Sequence, residues 1–221
     1  MMENSGADDA IHEVVIVGAG PAGLWAAFQL GLHGVSPLLI DSRATAGGQC
    51  AEFYADKPVY DMPGHAVVEA GEIIDRLLRQ LDAFSPIFRF DCQITAVAAE
   101  SEGFRLGLTS GDSLRATRVV LATGLGALAM QNISPLALPQ AARNVQGALA
   151  VSTATFETQY PGLYAIGDCA AYPGKLPLLA SAFHEAALMA FDIKKKRAGD
   201  RRVAPEFSST SSRLKSLFTE R

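Results

Sequence analysis

The chain has 221 residues, of which 49% are hydrophobic and 19% are charged, and its formal net charge is −4. This composition is typical of a globular protein with a large core, and its slightly acidic balance does not favour nucleic-acid binding. No apolar run approaches the roughly 20 residues that span a bilayer, and the polar residues 1–12 do not resemble a signal peptide. The three cysteines, Cys50, Cys92 and Cys169, are widely spaced and predict neither a disulfide framework nor a metal site. We therefore expect a cytoplasmic protein.

The first predicted elements are a buried strand over Val14–Val17 and a helix over Leu24–His33, joined by a G-x-G-x-x-G turn. Gly18 permits the tight turn, Gly20 lets the backbone approach a pyrophosphate, and Gly23 lets the helix pack closely on the strand. The N-terminus of the helix directs its dipole towards the phosphates. The residues expected to contact the ligand here are Gly18, Gly20, Pro21, Ala22 and Gly23.

A second buried strand over Leu38–Ile40 ends in Asp41, whose carboxylate is placed to accept the hydroxyl groups of an adenosine ribose. Gly48 and Gln49 follow in a Gly-Gly-Gln sequence, where the backbone again permits a close approach and the amide can donate and accept hydrogen bonds. Strand, glycine turn, helix, strand and acid in this order predict a dinucleotide site.

An acid at this position followed by Gly-Gly-Gln resembles the flavoproteins with two dinucleotide-binding domains. Residues 53–64 narrow the resemblance to the thioredoxin-reductase-like ferredoxin–NADP⁺ reductases. The resemblance implies FAD as the cofactor, with Tyr54 stacked on its isoalloxazine ring. The alternative interpretation of Tyr54 is a half-buried aromatic residue in a loop.

Residues 67–83 predict an amphipathic helix. The apolar runs that follow predict a small antiparallel insertion. These runs are Phe88–Cys92, Ile94–Val97, Phe104–Leu108 and Leu114–Ala116. The resemblance implies that the backbone around Ile94 contacts the adenine, whereas Cys92 is expected to be an inert buried thiol.

Arg118–Gly124 predicts another parallel strand, and the resemblance makes its last residues, Ala122, Thr123 and Gly124, a second FAD contact. Residues 131–146 predict an irregular crossing. Related reductases insert an NADPH-binding domain of about 100 residues after this strand, whereas only 44 positions separate Gly124 from Asp168. We therefore expect that the NADPH domain is absent between about residues 125 and 150, together with the CxxC motif that thioredoxin reductases carry in it.

The FAD pattern resumes at residues 158–168, which match T-x-x-P-G followed by four apolar residues and G-D. Asp168 can accept hydrogen bonds from the ribityl hydroxyls, or it can act as a helix cap. By resemblance, residues 175–186 open a helix whose N-terminus faces the flavin, with Ala180 at the contact. His184 is either a titrating group near the flavin or a histidine packed on the helix.

Two features mark the C-terminal part. The basic cluster at residues 194–202 is either a solvated helix end or a docking patch for an acidic partner such as a ferredoxin. Residues 204–218 resemble a C-terminal extension that covers the flavin of the partner subunit, with Ser208 at the shielding position. The apolar side chains of this tail need a surface to bury against, so we expect a homodimer.

The sequence thus predicts an α/β fold, namely a Rossmann-like FAD-binding domain with a three-layer parallel sheet, a small antiparallel insertion and a C-terminal extension. Its expected boundaries are a flexible segment over 1–12, the domain over 13–193 and a basic linker with tail over 194–221. The expected function is an FAD-dependent oxidoreductase whose electrons come from a ferredoxin, a partner reductase or NAD(P)H. Tyr54 and His184 are the candidate catalytic residues. The alternatives are a non-catalytic FAD-binding subunit and a flavin oxidase or oxygenase reduced by its own substrate.

Overall fold

A computed structural model describes residues 10–124, 147–204 and 208–219. The described strands in the first part are β1 (Ile11–Val17), β2 (Leu38–Ile40), β3 (Pro58–Val59), β4 (Val68–Glu69), β5 (Ile87–Arg89), β6 (Ile94–Glu100), β7 (Gly103–Leu108) and β8 (Ser113–Leu121). The later strands are β9 (Leu149–Ala150), β10 (Leu163–Ala165) and β11 (Ala170–Ala171). The described α-helices are α1 (Pro21–Leu32), α2 (Gly48–Glu52), α3 (Ala70–Leu81), α4 (Leu179–Ala198) and α5 (Ser212–Thr219).

The centre of the fold is a parallel sheet in the order β5–β2–β1–β8–β10. Val15 of β1 lies opposite Leu38 of β2 on one side and Val119 of β8 on the other. These central strands are apolar throughout because both faces of the sheet are covered. Their carboxyl ends therefore meet at one edge, where the connecting loops gather.

The fold has three layers, with the parallel sheet in the middle. On one face, α1, α3 and α4 bury an apolar cluster that includes Ile16, Leu30, Leu77 and Met189. On the other face, β6 and β7 form an antiparallel hairpin whose inward side chains join Val15 in a second cluster. The predicted fold class, an α/β Rossmann-like domain with a small antiparallel insertion, is confirmed.

Two strand predictions need correction. The run 88–92 was expected in the antiparallel insertion, but β5 pairs parallel to β2 and forms the edge of the main sheet. Leu114–Ala116 and Arg118–Gly124 were expected as separate strands, but β8 is continuous. It pairs with β7 over Ser113–Ala116, with β1 over Arg115–Leu121 and with β10 over Val119–Leu121. An apolar run does not reveal its partner's direction, and Thr117 between the two runs does not interrupt a strand.

The C-terminal helix α5 packs on its own chain. Leu214 is only 7% exposed, and the ring of Phe218 makes an edge contact with Phe84 at a centroid distance of 6.2 Å. Leu214 therefore already has a surface on its own chain to bury against, whereas Phe218 stays 44% exposed, and the cover of a partner subunit by the tail stays a prediction. Among the described residues, no helix has the length and apolar character needed to cross a membrane.

Candidate dinucleotide-binding site

A cavity of about 460 Å³ opens at the carboxyl edge of the parallel sheet. Loops that follow β1, β2, β8 and β10 line it, which is the usual place for a ligand in an open α/β sheet, and its volume suits a small molecule or cofactor. Thirteen of the sixteen predicted cofactor-contacting residues line this one cavity, so the separate motifs converge in space. They are Gly18, Gly20, Pro21, Ala22, Asp41, Gly48, Gln49, Tyr54, Ile94, Ala122, Thr123, Gly124 and Asp168.

The three glycines of the first turn have distinct geometric roles. Gly18 has φ +107°, and a Cβ there would overlap the carbonyl oxygen of Ala122. A Cβ at Gly23 would overlap the carbonyl oxygen of Gly18, so this residue allows α1 to pack against the turn rather than lining the cavity. A Cβ at Gly20 would meet nothing closer than the Cα of Gly48, at 3.7 Å. The protein therefore leaves the space beside Gly20 free.

Asp41 is a buried carboxylate held in place by two backbone amides. Its Oδ2 accepts a hydrogen bond from the N–H of Ala19 at 2.7 Å, and its Oδ1 accepts one from the N–H of Arg43 at 2.9 Å. Each carboxylate oxygen keeps a further lone pair for a ligand hydroxyl. Asp41 therefore also fastens the β1–α1 turn to the end of β2, a role that the sequence pattern did not reveal.

Tyr54 lies on the cavity wall with 40% of its surface exposed, and the ammonium group of Lys57 lies 4.1 Å from its ring centroid. A cation over one face leaves the tyrosine ring held but accessible. Cys50 and Cys92 also line the cavity. Burial raises the pKa of both thiols, and the charge of Asp168 raises that of Cys50 further, so both thiols are held in the protonated form.

The start of α4 borders the cavity through Leu178, Leu179 and Ala182. Ala180 and His184, both predicted here, are exposed and do not line it. The reason is helical spacing, because positions 179 and 182 share one face and positions 180 and 184 share another. The helix does approach the cavity as expected, but through other side chains.

Ser208, the predicted shielding residue, is exposed in a 3₁₀ turn over Ser208–Thr210 and does not line the cavity. The tail that follows contacts Phe84, and Phe84 in turn packs against Gly31 near the C-terminal end of α1. The cavity lies at the other end of α1. Within one chain, Ser208 is therefore not a cavity residue.

Sequence reasoning missed Glu185, which is fully buried on α4. Its Oε2 accepts a hydrogen bond from the N–H of Gly167 at 2.6 Å, and its Oε1 accepts bonds from the hydroxyl of Tyr172 at 2.8 Å and from the ammonium group of Lys175. Burial, followed by this carboxylate, raises the pKa of Tyr172 to about 12, so the hydroxyl stays a donor. An acid within an apolar stretch was the only signal, and it does not name the partners.

The basic cluster at residues 194–202 is partly directed inward. Lys196 pairs with Asp192 at 2.8 Å and with Glu157 at 2.6 Å, and it donates a hydrogen bond to the hydroxyl of Tyr164 at 3.1 Å. Arg197 pairs with Glu13 at 3.1 Å. Since two of its side chains are neutralised within the fold, this cluster has less free positive charge than the sequence indicated.

Comparison with known proteins shows which families this chain is similar to. Residues 16–81 match the profile described as a NAD(P)-binding Rossmann-like domain. A ferredoxin–NADP reductase of Acidovorax sp. (strain JS42) is 28% identical over 332 aligned residues, covering 91% of this chain and 94% of that protein. A ferredoxin–NADP reductase of Beijerinckia indica is 42% identical over 120 residues, but these span only 35% of its length. The alignment with the Beijerinckia protein therefore spans about a third of that protein's length.

Among solved structures, the thioredoxin reductase of Streptococcus pyogenes superposes with a TM-score of 0.69 at 12% identity, covering 84% of this chain and 97% of that one. The thioredoxin reductase of T. acidophilum gives 0.68 at 15% identity, covering 85% and 99%. These similarities define the class of the fold, which is a dinucleotide-binding fold of the thioredoxin reductase type. Within this class, the chain is a sequence relative of the ferredoxin–NADP reductases, as its motifs predicted.

The alignment with the Acidovorax protein also contains a large gap in this chain. It extends over 332 positions, whereas this chain has 221 residues, so at least 111 positions of the relative face no residue here. A gap of this size is comparable to a small domain. The segment 125–146, where the sequence predicted an irregular crossing, lies outside the described residues.

Proposed function

We propose that this chain is an FAD-dependent oxidoreductase that obtains its electrons from a donor outside its own chain. The observation that carries the proposal is the convergence of the Gly18–Gly23 turn, Asp41, the Ala122–Gly124 segment and Asp168 around one cavity. Four motifs separated by up to 150 positions meet at one sheet edge. The similarity to ferredoxin–NADP reductases supports the redox class.

The cavity residues fit FAD in three respects. Space beside Gly20 accommodates a pyrophosphate, and the anchored carboxylate of Asp41 suits a ribose with free hydroxyls. This carboxylate opposes a ribose 2′-phosphate by charge repulsion, and the neighbouring cation of Arg43 is paired with Glu52, so NADP(H) is disfavoured here. The cavity continues to Asp168, Tyr54 and the start of α4, where a ribityl chain and a planar ring would lie.

When bound, FAD supplies the electron-transfer chemistry, and the chain supplies binding, orientation and electrostatics. The N-terminus of the 20-residue helix α4 borders the cavity, so its dipole stabilises negative charge placed there. Asp168 and Gln49 offer hydrogen-bonding groups along the cavity. Tyr54 covers part of the wall with an aromatic face.

The proposal of an external donor rests on the short internal spacing between two of the FAD segments. Only 44 positions separate Gly124 from Asp168, and at least 111 positions of the Acidovorax relative have no counterpart. We infer that the NADPH-binding domain is what this chain lacks. Without it, little binding energy positions a nicotinamide, so direct reduction by NAD(P)H should be slow. The candidate donors are therefore a ferredoxin, a separate reductase or weakly bound NAD(P)H.

Anaerobic stopped-flow spectroscopy of the FAD-loaded protein with reduced ferredoxin, NADH and NADPH tests this proposal. We expect slow, non-saturating reduction by both nicotinamides and faster reduction by a protein donor. Fast NADPH reduction with half-saturation at micromolar concentration would contradict the external-donor proposal. Reduction by none of the three would instead favour a non-catalytic FAD-binding subunit or an oxidase that is reduced by its own substrate.

Assembly is a separate part of the proposal. Homodimer formation and FAD shielding by a second subunit remain predictions, although α5 packs on its own chain. Exposed apolar side chains at Leu176 (58%) and Leu178 (42%) flank the cavity. Size-exclusion chromatography with light scattering measures the oligomeric state directly, and a monomer at micromolar concentration would contradict the homodimer.

A further inference from the structure

We infer that Glu185 is a positioning residue for FAD, acting through the turn that carries Asp168. This inference rests on the proposed function. Glu185 does not line the cavity, and its carboxylate is fully buried beneath the Gly167–Asp168 turn. Its connection to the site is the hydrogen bond to the backbone of the turn that carries Asp168.

The backbone of this turn requires support. Gly167 has φ +67°, a conformation that residues with side chains rarely adopt, and a Cβ there would lie 3.1 Å from that of Ala22. The N–H of Gly167 donates to Glu185 Oε2 at 2.6 Å. A charge-assisted hydrogen bond of this kind is stronger than a neutral one, and it fixes the direction in which Asp168 leaves the strand.

The second oxygen of the same carboxylate holds a different wall of the cavity. Glu185 Oε1 accepts hydrogen bonds from Tyr172 and Lys175, which precede the cavity-lining residues Pro177 and Leu178. One buried side chain therefore ties the Asp168 turn to the segment that leads into α4. Lys175 balances its charge, which makes the burial of the carboxylate tolerable.

The same helix provides a matched control. Asp192 is a second buried acid on α4, 6% exposed, which accepts a hydrogen bond from Tyr164 and pairs with Lys196. Asp192 also pairs with Lys195 at 3.9 Å, and neither Asp192 nor any of its three partners lines the cavity. Removing its charge perturbs a comparable buried network two turns further along the same face of the helix and away from the cavity, so it reports the cost of core disruption alone.

The test compares Glu185→Gln with Asp192→Asn in FAD titrations of the apoprotein, with unfolding temperatures and absorption spectra of the bound flavin. We expect Glu185→Gln to weaken FAD binding about tenfold to hundredfold, because an amide cannot accept from all three donors, and to alter the flavin spectrum. We expect Asp192→Asn to lower the unfolding temperature while leaving the FAD dissociation constant within about twofold of wild type.

If Glu185→Gln does not fold, the double variant Glu185→Leu with Lys175→Met removes both buried charges together and keeps the core filled. It should fold and still bind FAD weakly, since the N–H of Gly167 has lost its acceptor. Wild-type affinity and an unchanged spectrum in either folded variant would overturn the inference while leaving the proposed function intact. A wild-type protein that binds no FAD would overturn the proposed function itself.

Discussion

Replacing Gly20 by alanine should weaken FAD binding without unfolding the protein. Gly20 precedes α1 with φ −75° and ψ −175°, an extended conformation open to any residue. The added Cβ would meet only the Cα of Gly48 at 3.7 Å, an ordinary van der Waals contact. We therefore expect the free energy of unfolding to change by no more than about 1 kcal/mol, which is a few degrees in Tm.

FAD binding should be affected much more than folding by the added methyl group. A methyl group in the space left for the pyrophosphate acts like an overpacked core residue, which costs about 1–3 kcal/mol and corresponds to about 5- to 150-fold weaker FAD binding. Calorimetric titration of the apoprotein measures the affinity, and thermal unfolding measures stability. The contrasting variant is Gly23→Ala, whose Cβ would overlap the carbonyl oxygen of Gly18 and should prevent folding. A Gly20→Ala variant that binds FAD as wild type does would refute the assignment of this turn to the pyrophosphate.

Three further predictions follow from particular contacts. Tyr54→Leu should raise the fluorescence of the bound flavin, since Tyr54 lies on the cavity wall as an accessible aromatic ring; unchanged fluorescence would show that it does not stack. Truncation after Ala204 removes the contacts that Leu214 and Phe218 make with the rest of the chain. The free energy of unfolding should therefore fall by about 1–3 kcal/mol, with FAD affinity unchanged. Greater quenching of flavin fluorescence by iodide at equal stability would instead assign the tail to flavin shielding. Burial raises the pKa of Cys169 to about 11, whereas the unfolded thiol loses its proton near 9, so wild-type stability should decline as pH rises through this interval. In chemical denaturation between pH 8 and 11, Cys169→Ala should show a smaller decline of the free energy of unfolding than wild type. An equally steep decline would show that the Cys169 thiol is not its cause.

The cofactor motifs were predictable because their chemistry fixes residue types at fixed distances from strand ends. Gly18, Gly23 and Asp41 follow short apolar runs, and their spacing alone predicted the turn, the packing and the acid. Asp168 also lies at the end of an apolar run, but it was identified by the resemblance of residues 158–168 to the FAD pattern of the related reductases. Such local rules depend on neighbours in the chain, which a sequence displays directly.

Other features depend on contacts between distant residues. The direction of β5 is set by its pairing with β2, and the partners of Glu185 come from Gly167, Tyr172 and Lys175. The placement of His184 depended on the rotation of α4, whose first turns carry apolar residues on several faces and so give no clear helical phase. The partial neutralisation of the basic cluster by Glu13 and Glu157 was hidden for the same reason.

The most direct test of the central claim is the identity and amount of the flavin held by the purified protein. We expect a yellow protein that, on denaturation, releases about one FAD per chain by chromatography, with FMN unable to reconstitute the apoprotein. FMN lacks the adenosine that Asp41 is placed to bind. Release of FMN, or an apoprotein that takes up no FAD at micromolar concentration, would contradict the account.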